Sequence, residues 1–174
     1  MITIILIVAV IAIAAVLVYA ATRPEIFTVQ RSIAVNAPPA QIHPLINDFS
    51  RWGAWSPYET KDPAMKREFS ATTAGEGATY AWQGNKDVGH GRMRIAESTP
   101  SRIAIQLDFL KPFEAHNIAE FTLQPQGHST SVTWAMRGHQ TFMCKVMSLF
   151  FNMDRMIGTD FEAGLINLKT AAEQ

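Results

Sequence analysis

Cys144 is the only cysteine in 174 residues, so no internal disulfide can form and the chain suits either redox compartment. Net charge is missing too. Fifteen basic and fifteen acidic side chains cancel, and no basic stripe gathers along any segment, which excludes nucleic acid as a partner. His43, His90, His116, His128 and His139 show no metal-ligand spacing, so neither a metal nor another cofactor is expected. Ser56 and Cys144 belong to no nucleophile motif of the Gly-x-Ser-x-Gly kind. Gly75-Glu76-Gly77 and Gly89-His90-Gly91 are too short for a phosphate loop and read as turns or strand bulges. Repeats, low-complexity tracts and long charge runs are absent, which leaves one domain as the simplest count.

Charge is most completely absent at the N-terminus. Ile2 to Ala21 is an uncharged run of twenty residues. At about 1.5 Å per helical residue it matches the roughly 30 Å hydrocarbon core of a bilayer. A buried core helix would show a polar face. A cleavable signal would need a basic start and a shorter apolar core, although Val18-Tyr19-Ala20 resembles a small-residue cleavage site. The expectation is a single-pass membrane helix over residues 1–21, with Tyr19 at the interface and the bilayer as its partner. Arg23 and Arg31 follow the run and nothing basic precedes it, so the positive-inside bias points to the cytoplasmic side for residues 22–174. A domain of that length buries about 70% of its unfolded surface.

What is present in residues 22–174 is alternation. Phe27 to Val35 has period two and reads as a strand, ended by Asn36-Ala37-Pro38-Pro39. A helical piece over Ala40 to Asp48 is expected to break or kink at Pro44. Further strands are read at Lys66–Thr72, Ala78–Gln83, Val88–Glu97, Arg102–Leu110, Asn117–Gln124 and Thr130–Arg137, separated by Gly, Pro and Ser turn signals. From Phe142, the positions Val146, Phe150, Met153, Ile157, Phe161, Leu165 and Leu168 recur at three and four residues, the stripe of one long amphipathic helix. Strands first and a long helix last give an α+β fold, a curved antiparallel sheet gripping the C-terminal helix, with one transmembrane helix ahead of it.

Several segments resemble a known family. Arg31-Ser32-Ile33, Asn36-Ala37-Pro38-Pro39, Ile46-Asn47-Asp48-Phe49 and Trp52-Gly53-Ala54-Trp55-Ser56-Pro57 are similar to the START-like (SRPBCC) superfamily in its bacterial polyketide cyclase/dehydrase-like branch. Asp62-Pro63-Ala64-Met65-Lys66, Val88-Gly89-His90-Gly91, Phe109-Leu110-Lys111-Pro112-Phe113-Glu114-Ala115, Ala119-Glu120-Phe121-Thr122-Leu123 and Asp160-Phe161-Glu162-Ala163-Gly164-Leu165 agree with it. The resemblance runs from about Phe27 to Lys169. It implies a helix-grip fold with a deep apolar cavity between sheet and helix, and it leaves the chemistry open because the superfamily holds carriers, receptors and enzymes.

Such a cavity has candidate walls. Tyr80 and Trp82 share one strand face, as do Trp134 and Met136, because residues two apart point the same way. Trp52, Trp55, Phe109 and Phe113 add flat apolar surface, and Met143, Met147 and Phe150 add adaptable surface at the start of the long helix. Asn117 and Glu120 are placed to orient a polar headgroup, with Glu120 expected to point inward. Asp108, Glu114, His116 and Glu120 are the densest titratable set. They straddle a strand end, a proline turn and a strand start, which should aim them apart, so no catalytic residue is assigned and an enzymatic role is disfavoured. The leading expectation is a membrane-anchored protein that binds a hydrophobic small molecule or lipid. The alternatives are an accessory subunit docked on a membrane protein complex through the small residues Ala9, Ala12 and Ala15, and a cyclase or dehydratase-type enzyme.

Overall fold

The computed structural model describes residues 1–149 and 152–174, without the side chain of residue 143. Helix α1 (Ile2–Ala21) comes first and carries no charge. Its side chains are exposed except for Ala20, so no protein surface covers its apolar face, and it is the one helix among the described residues long and apolar enough to cross a membrane. Strand β1 (Ile26–Val35) follows, then α2 (Pro39–Asn47), a 3-10 turn (Phe49–Ala54) and the short α3 (Tyr58–Lys61). Strands β2 (Lys66–Phe69), β3 (Thr79–Gln83), β4 (His90–Thr99), β5 (Arg102–Lys111), β6 (Ala115–Gln126) and β7 (Ser129–His139) complete the sheet, and α4 (Phe142–Met147) and α5 (Met153–Ala172) close the chain.

The strands form one antiparallel sheet in the order β1-β7-β6-β5-β4-β3-β2. From β2 to β7 consecutive strands pair, as alternation with turn punctuation dictates, and β1 lies beside β7 at the opposite edge from β2. Every second residue is buried along β6 and β7, with Asn117, Ala119, Phe121 and Leu123 on one strand and Val132, Trp134 and Met136 on the other. These inner faces, α5 and α2 enclose the single apolar core. The sheet with its C-terminal helix is the helix-grip α+β architecture expected.

Two local expectations change. Pro44 lies inside α2 without dividing it: its missing N–H forgoes only the one bond to the Ala40 carbonyl, and the helix ends three residues later. The C-terminal stripe is not one continuous helix. Asn152 has extended backbone (φ −80°, ψ 91°), and its side-chain oxygen accepts from Arg155 N at 2.9 Å, which starts α5 afresh. Phe161, Leu165 and Leu168 from that stripe are buried, whereas Met153 is exposed, so only the later part of the stripe faces the sheet.

Arg31 fixes where α5 lies. Its guanidinium donates to Glu162 Oε1 at 2.7 Å and to both carboxylate oxygens of Asp154 at 3.0 and 3.1 Å, spanning two turns of α5 over Gly158. A Cβ at Gly158 would collide with that guanidinium. At the far end Lys169 Nζ donates to Ala34 O at 2.9 Å, and the Glu173 carboxylate accepts from Asn36 N at 2.6 Å. Helix α5 therefore runs parallel to β1, from the start of the strand toward its end, and the barrel has two distinct ends. At one end lie the start of β1, the β3–β4 and β5–β6 turns and the β7–α4 connection. At the other lie α2, the β4–β5 and β6–β7 turns and the last turn of α5.

Candidate functional site

The middle of the barrel and the end under α2 are filled. Trp134 stacks on Phe161 with centroids 4.0 Å apart and on Phe121 at 5.0 Å. Trp55 meets Trp134 and Phe121 edge-on at 5.5 and 5.8 Å, and Trp52 lies 4.9 Å from Trp55. Each such pair contributes about 0.5–1.5 kcal/mol beyond its area burial. Two of the polar edges of this cluster are satisfied, Trp52 Nε1 donating to Ile46 O at 2.9 Å and Trp55 Nε1 to Leu45 O at 2.8 Å, while Trp134 Nε1 and the neighbouring Ser56 Oγ are buried without a partner. The expected cavity therefore does not run the length of α5. Trp52, Trp55 and Trp134 belong to packed core.

The other end is built differently. Register places Asn117 between Gly138 of β7 and Leu107 of β5 on the inner face, with Val29, Met136 and Ala119 aligned one inner-facing row deeper. The Asn117 carboxamide lies over Gly138, where any Cβ would collide with it, and close to the Phe27 ring. Asn117 is 6% exposed, yet its Oδ1 accepts no hydrogen bond. On β7, two inner-facing positions beyond Gly138, Trp134 Nε1 is also buried without an acceptor, with Met136 between the two. A buried polar atom without a partner costs about 1–3 kcal/mol, so an orphan acceptor and an orphan donor beside an adaptable thioether mark where a partner gains most.

Trp82 lies on the inner face of β3, toward the same end. Its Nε1 donates to Val88 O at 3.0 Å, its ring lies over Gly91, where a Cβ would collide with it, and Phe109 meets it edge-on at 5.9 Å. Glycines within strands signal close approach, and Gly138 and Gly91 are the seats of Asn117 and Trp82 that sequence reasoning missed. Tyr80 lies on the same face of β3 but is committed elsewhere: its hydroxyl donates to Glu59 Oε1 at 2.6 Å, and Arg67 holds the other oxygen of that carboxylate. Burial and then the Glu59 carboxylate raise the Tyr80 hydroxyl well above its ordinary pKa. Phe113 and Met147 are exposed at the rim of this end. Phe150 and the side chain of Met143 lie outside the described residues.

Glu120 corrects the expectation made for it. It sits on the outer face of β6, three residues from Asn117 and therefore on the opposite side of the sheet, and accepts from Arg102 at 2.6 Å and Arg137 at 3.3 Å. Arg102 also bridges to Glu97. The titratable set around it is likewise less scattered than expected. Asp108 and His116 are register partners on β5 and β6, and their outward side chains meet at 2.8 Å (Oδ1 to Nδ1). Arg92 Nε donates to the other Asp108 oxygen at 2.9 Å, and His116 Nε2 lies 3.5 Å from Glu114. His116 holds Asp108 below the usual carboxylate range, and Asp108 raises His116 above the usual imidazole range. This cluster faces away from Asn117. Next to it, Lys66, Ala81, Trp82, Arg92, Leu110 and Lys111 line an open groove of about 200 Å³, smaller than the about 300–1,000 Å³ of ordinary ligand pockets.

Comparison with known proteins agrees with this architecture. The family described as polyketide cyclase / dehydrase and lipid transport matches residues 27–173. No curated protein matches the chain. Among solved structures, a protein from Chromobacterium violaceum is 15% identical, with a TM-score of 0.62 over 84% of this chain and 97% of that one. One from Thermobifida fusca is 21% identical, with a TM-score of 0.62 over 83% and 92%. The Aha1 dimer from Colwellia psychrerythraea is 17% identical, with a TM-score of 0.56 over 84% and 96%. At these identities the likeness is one of fold.

Proposed function

This chain belongs to the polyketide cyclase / dehydrase and lipid transport family, and from that premise we propose that it binds a hydrophobic small molecule or lipid while anchored in a membrane. In this reading residues 1–21 are a transmembrane helix and residues 22–174 the ligand-binding domain. The ligand lies at the end of the barrel bounded by Trp82, Phe109, Met136 and the first turns of α5, its apolar body against these side chains and its one polar group on Asn117. The observation that carries the reading is the Asn117 carboxamide, buried over Gly138 with its oxygen unpartnered in apolar surroundings. A ligand hydroxyl or amide there would relieve a desolvation penalty that the protein otherwise bears alone.

Binding is favoured over turnover because the dense acid/base set among the described residues, Asp108 with His116, lies on the outer face of the sheet while Asn117 lies on the inner face. A proton-transfer reaction needs its acid or base within hydrogen-bond reach of the reacting atom. The test is thermal unfolding of the full-length protein in detergent with extracted lipids and apolar probes, read with tryptophan emission. A ligand at 100 times its Kd stabilises by about 2.7 kcal/mol and should also shift the emission of Trp82. Neither effect with any lipid class would remove the reading. A cyclisation or dehydration activity lost on Asp108→Asn with the fold intact would replace it by the enzymatic one.

A further inference from the structure

Outside α1, the large apolar side chains left exposed among the described residues gather at one end of the barrel, with Phe69 and Ile166 the exceptions. Leu110 and Phe113 sit at the β5–β6 turn, Phe142 and Met147 on α4, and Met153 and Met156 on the first turn of α5. Phe113 is 71% exposed and Met156 61%, values unusual for residues of this size on a soluble surface. The opposite end exposes Ser101, Gln126, Gly127 and His128. A patch this one-sided needs a covering partner, and α1 identifies it. Helix α1 ends at the patch: it touches α4, and Ala20, its buried residue, lies only six residues before β1 begins at Ile26.

We propose that this apolar rim rests in the surface of the bilayer that α1 spans, so that the barrel's mouth opens onto lipid. The inference rests on the anchor reading and adds a second, independent membrane contact. Composition fits it. Lys111 between Leu110 and Phe113, and Arg155 between Met153 and Met156, are exposed cations that can lay their stems along apolar surface and keep their charge among anionic headgroups. Arg23 packs over the Tyr19 ring at 5.2 Å, an aromatic and cation pair at the level where α1 leaves the hydrocarbon. An apolar ligand could then pass between bilayer and barrel without crossing water.

The test uses the full chain in vesicles of phosphatidylcholine and phosphatidylglycerol, with a polarity-sensitive fluorophore on a single cysteine. Cys144 is exposed and is replaced by Ser; the label is carried by Phe113→Cys at the rim or by Gln126→Cys at the opposite end. Nitroxide-bearing lipids should quench the label at 113 several-fold more than the label at 126, and aqueous iodide should show the reverse order. Equal quenching at both positions, in vesicles that keep the protein after alkaline carbonate washing, overturns the rim contact and leaves the anchor standing. Release of the protein by carbonate overturns the anchor, and the rim contact with it.

Discussion

The two ends of this barrel use the same strands in opposite ways. Under α2, the inner faces carry large aromatics that stack on α5, and Trp52 and Trp55 both find carbonyl partners. At the mouth, the same strands carry glycines, methionine and an unpartnered carboxamide, and the neighbouring turns leave apolar side chains exposed. The difference teaches a division of labour: one end holds the fold through stacked aromatics, which lets the other leave apolar surface exposed that would be a liability in a uniform core.

The largest effect should follow from opening the packed end. Phe161→Ala removes the ring stacked on Trp134 and should lower unfolding free energy by about 3–5 kcal/mol in denaturant titration, whereas Phe113→Ala at the rim should change it by under about 0.5 kcal/mol. Comparable losses from the two would erase the contrast. Gly138→Ala comes next. Its Cβ would meet the Asn117 carboxamide, and overpacking of that kind costs about 1–3 kcal/mol while also displacing the proposed polar contact, so stability and lipid affinity should fall together. Asn117→Leu separates those two quantities. Removing an orphan polar group should leave stability equal or raise it by up to about 1 kcal/mol, while the affinity for a polar-headed apolar ligand drops.

The smallest effect belongs to the outer face of the mouth. Asp108 raises the folded-state pKa of His116 above the ordinary imidazole value of about 6.5. The stabilisation that His116 gains is then fully present below its unfolded pKa, down to the acid range where Asp108 takes up a proton, and is lost as pH rises through the folded one. An NMR titration should find His116 the more basic relative to free imidazole side chains, and Asp108→Asn should return it toward the ordinary value. No return would mean that the Asp108 contact does not form in solution.

Period-two alternation makes the strands legible, and spacing alone puts Tyr80, Trp82, Trp134 and Met136 on inner faces. The same arithmetic suffices to place Glu120 correctly, since residues three apart on a strand point to opposite sides and Asn117 reads as inward. Helix α4 is not legible as a separate element because apolar spacing continues from Val146 past Met153. Only the capping chemistry of Asn152 marks the restart. The filling of the cavity is invisible in the sequence for another reason. Whether Trp52, Trp55, Trp134, Phe121 and Phe161 line a space or occupy it depends on how close α5 comes to the sheet. That distance is set by Gly164 against Trp134 and Gly158 against Arg31, pairs far apart in sequence.

The central claim, that the mouth end holds an apolar ligand through Asn117, is tested most directly by native mass spectrometry of the full-length protein purified in detergent, beside Asn117→Leu prepared identically. The account predicts a discrete apolar adduct on the unsubstituted protein, identifiable after release, and its loss or marked depletion on Asn117→Leu while the fold is retained. A bare protein in both preparations, or an adduct equally abundant on both, would contradict it.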